Sequence, residues 1–138
     1  MKIKLAKFIS QFLVDNGITD CFMVTGGGAM HLDDAIGHQE GMHCVFNHHE
    51  QACSIAAEGY TRMTGKLAAV CVTSGPGGTN AITGVMGGWL DSIPMFNFLL
   101  FNIYYTYHIE ESVCNDHLLA IIADCNIFLE SLISSVMF

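Results

Sequence analysis

The sequence feature that most restricts how this chain can fold is an uninterrupted apolar run that ends at a cluster of glycines. Residues Leu67–Thr73 read LAAVCVT, and Ser74–Gly78 follow at once with the letters SGPGG. A strand without polar alternation is typical of a parallel sheet that is covered on both faces. Glycines directly after such a strand allow another group to approach the backbone closely. The run therefore predicts a buried strand that ends in a turn suited to close contact.

Short apolar runs alternate with helical patterns along the first hundred residues. This alternation predicts an α/β fold, a three-layer parallel sheet with helices on both faces. The predicted elements are, in order, a helix over Lys2–Asn16 stopped by Gly17, a strand over Cys21–Thr25, a helix over Ala29–Gly37, a strand over His43–Phe46, a helix within Asn47–Lys66, the strand of Leu67–Thr73, a helix from about Thr79-Asn80 to Trp89, and a strand over Ile93–Phe101.

Three loops are predicted to meet at one edge of this sheet. They are Gly26–Gly28, His48–Glu50 and Ser74–Gly78, and each follows a predicted strand. In parallel α/β sheets, ligands bind at the carboxyl ends of the strands. The three loops together therefore predict a binding site at that edge. The first loop does not have the spacing of the GxGxxG dinucleotide fingerprint.

The helix after the second loop begins with a single carboxylate, Glu50, and continues with small residues. Two interpretations of Glu50 stay open on the residues alone. It is a charge favoured by the positive end of the helix dipole, or it is a carboxylate shielded from water so that it can pass a proton. One face of the helix is predicted to allow close approach of another helix. Its residues are Ala52, Ile55, Ala56 and Gly59.

Composition argues against some classes of partner. The chain has 138 residues, enough for one domain with a sizeable core. Its formal net charge of −8 argues against nucleic acid or an anionic membrane, because both attract basic surfaces. No apolar run reaches the roughly 18 residues that a membrane-spanning helix needs. We therefore expect neither a nucleic-acid partner nor a membrane span.

The cysteines and histidines do not form the pattern of a metal site. The six cysteines have no CxxC spacing, and the seven histidines have no HExxH context, so no metal is predicted on these side chains. Cys21, Cys53 and Cys71 lie within apolar runs, which is typical of buried thiols. The start of the chain has no signal-peptide pattern, so free thiols in a reducing cytoplasm are expected.

The composition changes after Trp89. All fourteen glycines and all five basic residues precede that position, and the remainder is acidic and apolar. Apolar residues at 4-3-4-3-4 spacing predict a terminal helix from about Asp116. We expect one domain over residues 1–95, followed by a divergent strand and a C-terminal helix over residues 96–138.

Three segments together resemble a known family. They read FMVTGGGAMHLDDAI at residues 22–36, HHEQACSIAAEGYTRMTGK at residues 48–66 and VCVTSGPGGTNAITGVMGGWLDSIPM at residues 70–95. In combination they resemble the N-terminal, pyrimidine-binding domain of thiamine-diphosphate-dependent enzymes, and they are most similar to the acetolactate-synthase-like branch. The resemblance covers residues 1 to about 95.

The resemblance implies a catalytic role for Glu50. In the family, the matching glutamate hydrogen-bonds a ring nitrogen of the cofactor's aminopyrimidine. That contact promotes formation of the ylid, which adds to a 2-oxoacid such as pyruvate. Such a carboxyl group has to be shielded from water, with a raised pKa. Glutamine at this position would keep the shape and lose the proton.

The resemblance also implies a binding surface around Glu50. The backbone of Gly75, Pro76 and Gly77 would lie against the pyrimidine side of the cofactor, although on the residues alone an ordinary turn is the favoured interpretation. Gly26 and Gly27 would border the reacting carbon. Two polar residues are assigned as well: Asn80 points into the site or, as the favoured alternative, caps the following helix, and His49 would face the substrate.

The chain also departs from the family pattern. Family members need a second domain that binds the diphosphate through Mg²⁺, under a GDG motif that this sequence does not contain. The cofactor lies between that domain of one subunit and the pyrimidine domain of another. We therefore expect half a site, completed in a homodimer or by a diphosphate-domain partner in trans. Beyond Met95 no family continuation matches, so truncation or a shifted reading frame is expected there.

Three functions remain open. The favoured one is the pyrimidine-binding half of a thiamine-diphosphate-dependent 2-oxoacid decarboxylase or carboligase, inactive without a diphosphate-binding domain. The second is a non-catalytic remnant or interaction module that keeps the fold. The third, a nucleotide-binding domain with SGPGG as its phosphate loop, is weaker because the GK[ST] ending is missing.

Overall fold

The computed structural model describes residues 3–99, in which helices and strands alternate as predicted. The predicted helix from Asp116 and the end of the strand predicted over Ile93–Phe101 lie outside the described residues. The domain boundary between residues 95 and 96 stays a prediction. The elements are α1 Leu5–Asp15, β1 Asp20–Val24, α2 Met30–Gly37, β2 His43–Phe46, α3 Glu50–Thr64, β3 Ala69–Val72, α4 Pro76–Leu90 and β4 Phe96–Leu99.

The four strands of residues 3–99 form one parallel sheet in the order β2-β1-β3-β4. Cys21 of β1 lies opposite Cys44 of β2 on one side and opposite Ala69 of β3 on the other. β4 joins the far side of β3, where Val70 lies opposite Asn97. The predicted α/β class with a parallel sheet is confirmed. Because the chain adds β2 on one side of β1 and β3 on the other, its winding reverses between β1 and β3.

Helices cover both faces of the sheet, which is why β3 is apolar along its whole length. One buried cluster lies between the sheet and α1 and α2, and the other lies between the sheet and α3 and α4. Ala69 and Cys71 of β3 belong to the first cluster, and Val70 and Val72 belong to the second. All four side chains are fully buried. Successive strand residues point to opposite faces, so both sets must be apolar.

Helix α1 ends at Asp15, one residue before the predicted end, and Gly17 follows its C-cap residue Asn16. This glycine has a φ of 77°, in the left-handed region that favours glycine. Its N–H donates to the carbonyl of Val14 at 2.9 Å, and the N–H of Ile18 donates to the carbonyl of Leu13 at 2.9 Å. These two bonds form a Schellman motif, which satisfies carbonyls at the helix end.

Helices α3 and α4 pack closely, but through a different face from the predicted one. The predicted contact face contains Ile55, which is 50 % exposed. A Cβ on Gly84 of α4 would overlap the Cβ of Ser54 and lie 2.9 Å from the backbone nitrogen of Ile55. The predicted close approach is therefore confirmed, but the predicted face is wrong: α3 turns a different set of small residues towards the sheet and α4. The buried residues of α3 are Cys53, Ser54, Ala57 and Thr61.

At the amino end of the sheet, Asp20 connects β1 to α3. The hydroxyl of Tyr60 donates to Oδ2 of Asp20 at 2.7 Å, and the hydroxyl of Thr19 donates to the same oxygen at 3.0 Å. Nδ1 of His43 lies 3.0 Å from Oδ1. Burial raises the pKa of Asp20, but these hydrogen bonds outweigh burial and the pKa lies below its usual value. The ionised carboxylate thus contributes stability that is lost as the pH falls through this lowered pKa.

The four cysteines of the described residues are free thiols. Three of them, Cys21, Cys53 and Cys71, are fully buried, as predicted. Burial raises the pKa of the Cys21 and Cys71 thiols. A buried, protonated thiol is a poor nucleophile, so these two side chains act as small apolar residues.

Candidate functional site

The reversal of winding brings the predicted loops together at the carboxyl edge of the sheet. Gly26–Gly28 follow β1, and Thr73 to Gly75 follow β3, the adjacent strand. The N–H of Gly28 donates to Oγ1 of Thr73 at 3.1 Å, which joins the two loops directly. In sheets of this type, the crevice at such a reversal is the usual place for a ligand.

Helix α3 begins beside these loops, with Glu50 as its first residue. His49 is the N-cap, and its Nδ1 accepts the N–H of Gln51 at 3.1 Å. That hydrogen bond requires an unprotonated Nδ1. The carboxylate of Glu50 in the first turn interacts favourably with the helix dipole. The sequence did not predict the capping role of His49, whose side chain is exposed, as is that of His48.

The carboxylate of Glu50 lies against the first turns of α4. Nδ2 of Asn80 donates to Oε2 at 3.0 Å, and a Cβ on Gly77 would lie 3.4 Å from Oε1. The hydrogen bond from Asn80, assisted by the N–H of Glu50 itself, holds the pKa of Glu50 below its usual value. The expectation of a raised pKa is therefore wrong for this chain. The side chain is only partly buried, so desolvation is too weak to offset the donors.

Removing the amide donor should raise the pKa of Glu50. We expect Asn80→Ala to move this pKa upwards, towards its usual value, because the charged form loses its main hydrogen bond. The measurement is an NMR titration of the Glu50 carboxyl carbon. Thr83→Ala on the exposed side of the same helix is the matched control and should leave the titration unchanged. An unchanged or lower pKa in Asn80→Ala would contradict the assignment of Asn80 as the dominant donor.

Helix α4 begins three residues earlier than predicted, at Pro76. Gly75 precedes it with a φ of 68°, and the proline occupies the first helical position. The predicted turn is therefore one glycine followed by the first turn of the helix. Asn80 lies inside the helix and contacts Glu50, so the favoured capping role is wrong and the alternative, an orientation into the site, is the one observed.

The remaining predicted residues lie in the segments at the same edge, and we refer to the exposed surface of these segments beside Glu50 as the opening. Gly75, Pro76 and Gly27 are exposed, and Gly77 is buried. A Cβ on Gly26 would lie 2.5 Å from the Cβ of Thr73, so this position has no room for a side chain. The structure thus brings all of the predicted site residues to one edge of the sheet.

Two residues at this edge were missed by sequence reasoning. Thr73 contacts both glycine segments, and Asp33 of α2 accepts the N–H of Gly26 on Oδ2 at 3.1 Å. The only sequence signal for Thr73 was its place as the last residue of the apolar run. Asp33 had none, because its contact depends on how α2 folds back over β1.

Two classes of feature do not occur among residues 3–99. No three side chains of histidine, cysteine, aspartate or glutamate come together as a metal site in this range. No helix in the same range is long and apolar enough to cross a membrane.

Comparison with known proteins gives a family that agrees with this geometry. Residues 3–104, well over half of the chain, match the family described as "Thiamine pyrophosphate enzyme, N-terminal TPP binding domain". The acetolactate synthase large subunit of Buchnera aphidicola subsp. Acyrthosiphon pisum is 44 % identical over 90 residues, which are 65 % of this chain and 16 % of that protein.

Two further relatives are also named as acetolactate synthases. The acetolactate synthase large subunit of Lactococcus lactis is 42 % identical over 103 residues, 70 % of this chain and 18 % of the relative. Acetolactate synthase 2, chloroplastic, of Nicotiana tabacum is 40 % identical over 85 residues, 62 % of this chain and 13 % of the relative. The chain therefore spans less than a fifth of the length of these relatives. Together with the parallel sheet and the loops gathered at its carboxyl edge, the match shows that the chain belongs to the family of N-terminal domains of thiamine pyrophosphate enzymes.

Proposed function

We propose that the chain is the pyrimidine-binding half of a thiamine-diphosphate-dependent 2-oxoacid decarboxylase or carboligase of the acetolactate synthase type, with Glu50 as its catalytic residue. The observation that carries this proposal is the position of the Glu50 carboxylate. It lies between Asn80 and the side-chain-free surface of Gly77, at the carboxyl edge of the sheet. The names of the relatives supply the class of reaction.

The residues present fit a flat heterocycle. A Cβ on Gly27 or on Gly75 would have no atom within 4 Å, so the backbone at these two exposed glycines is free to contact a flat ring, whereas a Cβ on Gly77 would lie 2.8 Å from Cγ2 of Thr73 and 3.4 Å from Oε1 of Glu50. Gly75, Pro76, Gly77 and Asn80 would border the pyrimidine, and Gly26 and Gly27 would border the reacting carbon. When bound, thiamine diphosphate supplies a carbon nucleophile and accepts the electron pair released by decarboxylation.

Glu50 would hold and release a proton at Oε1, the oxygen on the side of Gly77. To do so at neutral pH it needs a higher pKa than the one it has in this chain. Covering the opening with a ring and a second domain would remove water from the carboxylate, and desolvation raises the pKa of a carboxyl group. Proton transfer by Glu50 therefore depends on the completed site. His49, at the start of the same helix, would face the substrate.

The rest of the site would come from another domain. The matched region covers less than a fifth of each relative, so we propose that a diphosphate-binding domain outside these 138 residues holds Mg²⁺. A partner that carries this domain would supply it in trans, and the chain itself would form a homodimer. The free thiols of the described cysteines support a reducing, cytoplasmic setting.

The test is reconstitution with the missing domain. Calorimetry with thiamine diphosphate and Mg²⁺ should give no binding heat with the 138-residue chain alone. Binding heat and pyruvate consumption should appear when the diphosphate-binding domain of a related acetolactate synthase large subunit is added. If the mixture neither binds nor turns over, the proposal fails and the remnant or interaction module is favoured.

A further inference from the structure

We propose that Thr73 is a positioning residue that sets the spacing between the Gly26–Gly28 segment and the start of α4, and thereby the width of the opening beside Glu50. This inference rests on the proposed function, because the opening is the proposed place of the pyrimidine ring. Thr73 is the residue after β3 and is half-buried. Its hydroxyl group accepts a hydrogen bond from the Gly26–Gly28 segment, and its methyl group lies against both Gly26 and Gly77.

The hydroxyl group holds the segment after β1. Oγ1 of Thr73 accepts the N–H of Gly28 at 3.1 Å, across 45 residues of sequence. On the same side, Cβ of Thr73 occupies the space in which a side chain of Gly26 would stand, 2.5 Å from the position of that Cβ. The segment therefore lies directly on the Thr73 side chain.

The methyl group faces the start of α4. A Cβ on Gly77 would lie 2.8 Å from Cγ2 of Thr73, closer than real Cβ contacts come. Since Gly77 also borders the Glu50 carboxylate, the methyl group of Thr73 limits how far the first turn of α4 can move towards β1. A β-branched side chain suits this role because it has few rotamers.

A second anchor holds the other end of the glycine segment. Oδ2 of Asp33 accepts the N–H of Gly26 at 3.1 Å, and the thiol of Cys71 donates to Oδ1 of Asp33 at 3.5 Å. The amides on both sides of Gly27 are thus held by acceptors from α2 and from the end of β3. The exposed peptide of Gly27 is fixed between them, and Thr73 is the anchor that also touches α4.

The contributions of the hydroxyl group and the methyl group of Thr73 can be separated by substitution. Thr73→Val keeps the branched shape and removes the acceptor, and Thr73→Ser keeps the acceptor and removes the methyl group. Thr83→Val makes the first change at an exposed position of α4 and is the matched control. In the 138-residue chain, we expect Thr73→Val to accelerate hydrogen exchange of the Gly28 amide about fivefold, as NMR would measure. Thr73→Ser and Thr83→Val should leave that exchange rate close to the wild-type value.

The methyl group is tested by rescue. Gly77→Ala should lower the urea midpoint of unfolding, because its new Cβ meets Cγ2 of Thr73. Adding Thr73→Ser to Gly77→Ala should restore most of the loss, because the atom that clashes is gone. A general loss of packing would instead make the double variant less stable than either single variant.

The final measurement tests whether Thr73 also affects the affinity for thiamine diphosphate that the proposed function requires. In the mixture with a diphosphate-binding domain, Thr73→Val should weaken the affinity for thiamine diphosphate about tenfold, and Thr73→Ser by less than about threefold. The inference would be overturned if Thr73→Val had the wild-type exchange rate at the Gly28 amide or the wild-type affinity for thiamine diphosphate. If the wild-type mixture itself binds no cofactor, the proposed function fails, and exchange and rescue alone then decide whether Thr73 connects the two segments.

Discussion

Glu50→Gln is expected to abolish pyruvate turnover by the chain assembled with a diphosphate-binding domain, with a loss of about 10²- to 10⁴-fold. The glutamine side chain can still accept the hydrogen bond that Asn80 donates to Oε2 at 3.0 Å, so the local geometry should persist. What it cannot do is take up and release a proton on the side of Gly77. The loss should therefore fall on turnover, with cofactor binding largely kept.

The control for this variant lies on the same helix. Glu58→Gln makes the same chemical change two turns away, where Oε1 of Glu58 accepts two hydrogen bonds from Arg62. Pyruvate consumption by this control should stay within about twofold of the wild-type rate, because Glu58 lies about 12 Å further along the helix than Glu50. The decisive assay compares the initial rates of all three proteins at equal cofactor saturation. Turnover by Glu50→Gln close to that of the wild type would remove Glu50 from the mechanism.

Gly84→Ala is expected to destabilise the chain by about 1–3 kcal/mol, the range found for overpacked contacts. Its Cβ would overlap the Cβ of Ser54 and lie 2.9 Å from the backbone nitrogen of Ile55. Backbone atoms cannot move aside as a flexible side chain can, so α4 would have to separate from α3. Because folded domains are stable by only about 5–15 kcal/mol, such a loss is readily measured by urea unfolding.

Replacing a glycine of α3, Gly59, should have the opposite effect on stability. A Cβ on Gly59 of α3 would have no atom within 4 Å, so Gly59→Ala adds only the better helix propensity of alanine. We expect a gain of about 0.5–1 kcal/mol. If Gly84→Ala and Gly59→Ala changed the free energy of unfolding by the same amount, the contact between Ser54 and Gly84 would not limit the approach of the two helices.

The sequence allowed the strands and the class of fold to be predicted because their signals are local. The apolar run before Ser74 predicts a buried strand, and the glycine after α1 predicts the end of a helix. Each prediction needs only a few neighbouring residues. The start of α4 was also readable, since proline is favoured at the first helical position. The predicted start is three residues too late because the glycines around Pro76 also have the composition of a turn.

The contacts across the site could not be predicted, because they depend on the register between distant segments. Asn80 meets Glu50 only because α3 and α4 pack at the distance that Ser54 and Gly84 allow. The face of α3 was misjudged for a related reason: residue size alone does not tell which small residues turn towards the sheet. The lowered pKa of Glu50 could not be predicted either, because it depends on the hydrogen bond that Asn80 donates across the site.

The contact between Tyr60 and Asp20 has a consequence at the opposite end of α3. Tyr60 lies ten residues after Glu50, or about 15 Å along the helix axis, and its hydroxyl is held on the strand at 2.7 Å. A helix fastened at its far end cannot slide lengthwise over the sheet without breaking that bond. The position of Glu50 along the sheet, and with it the contact between Glu50 and Gly77, is therefore fixed in part by the hydrogen bond of Tyr60 at the amino end of the sheet.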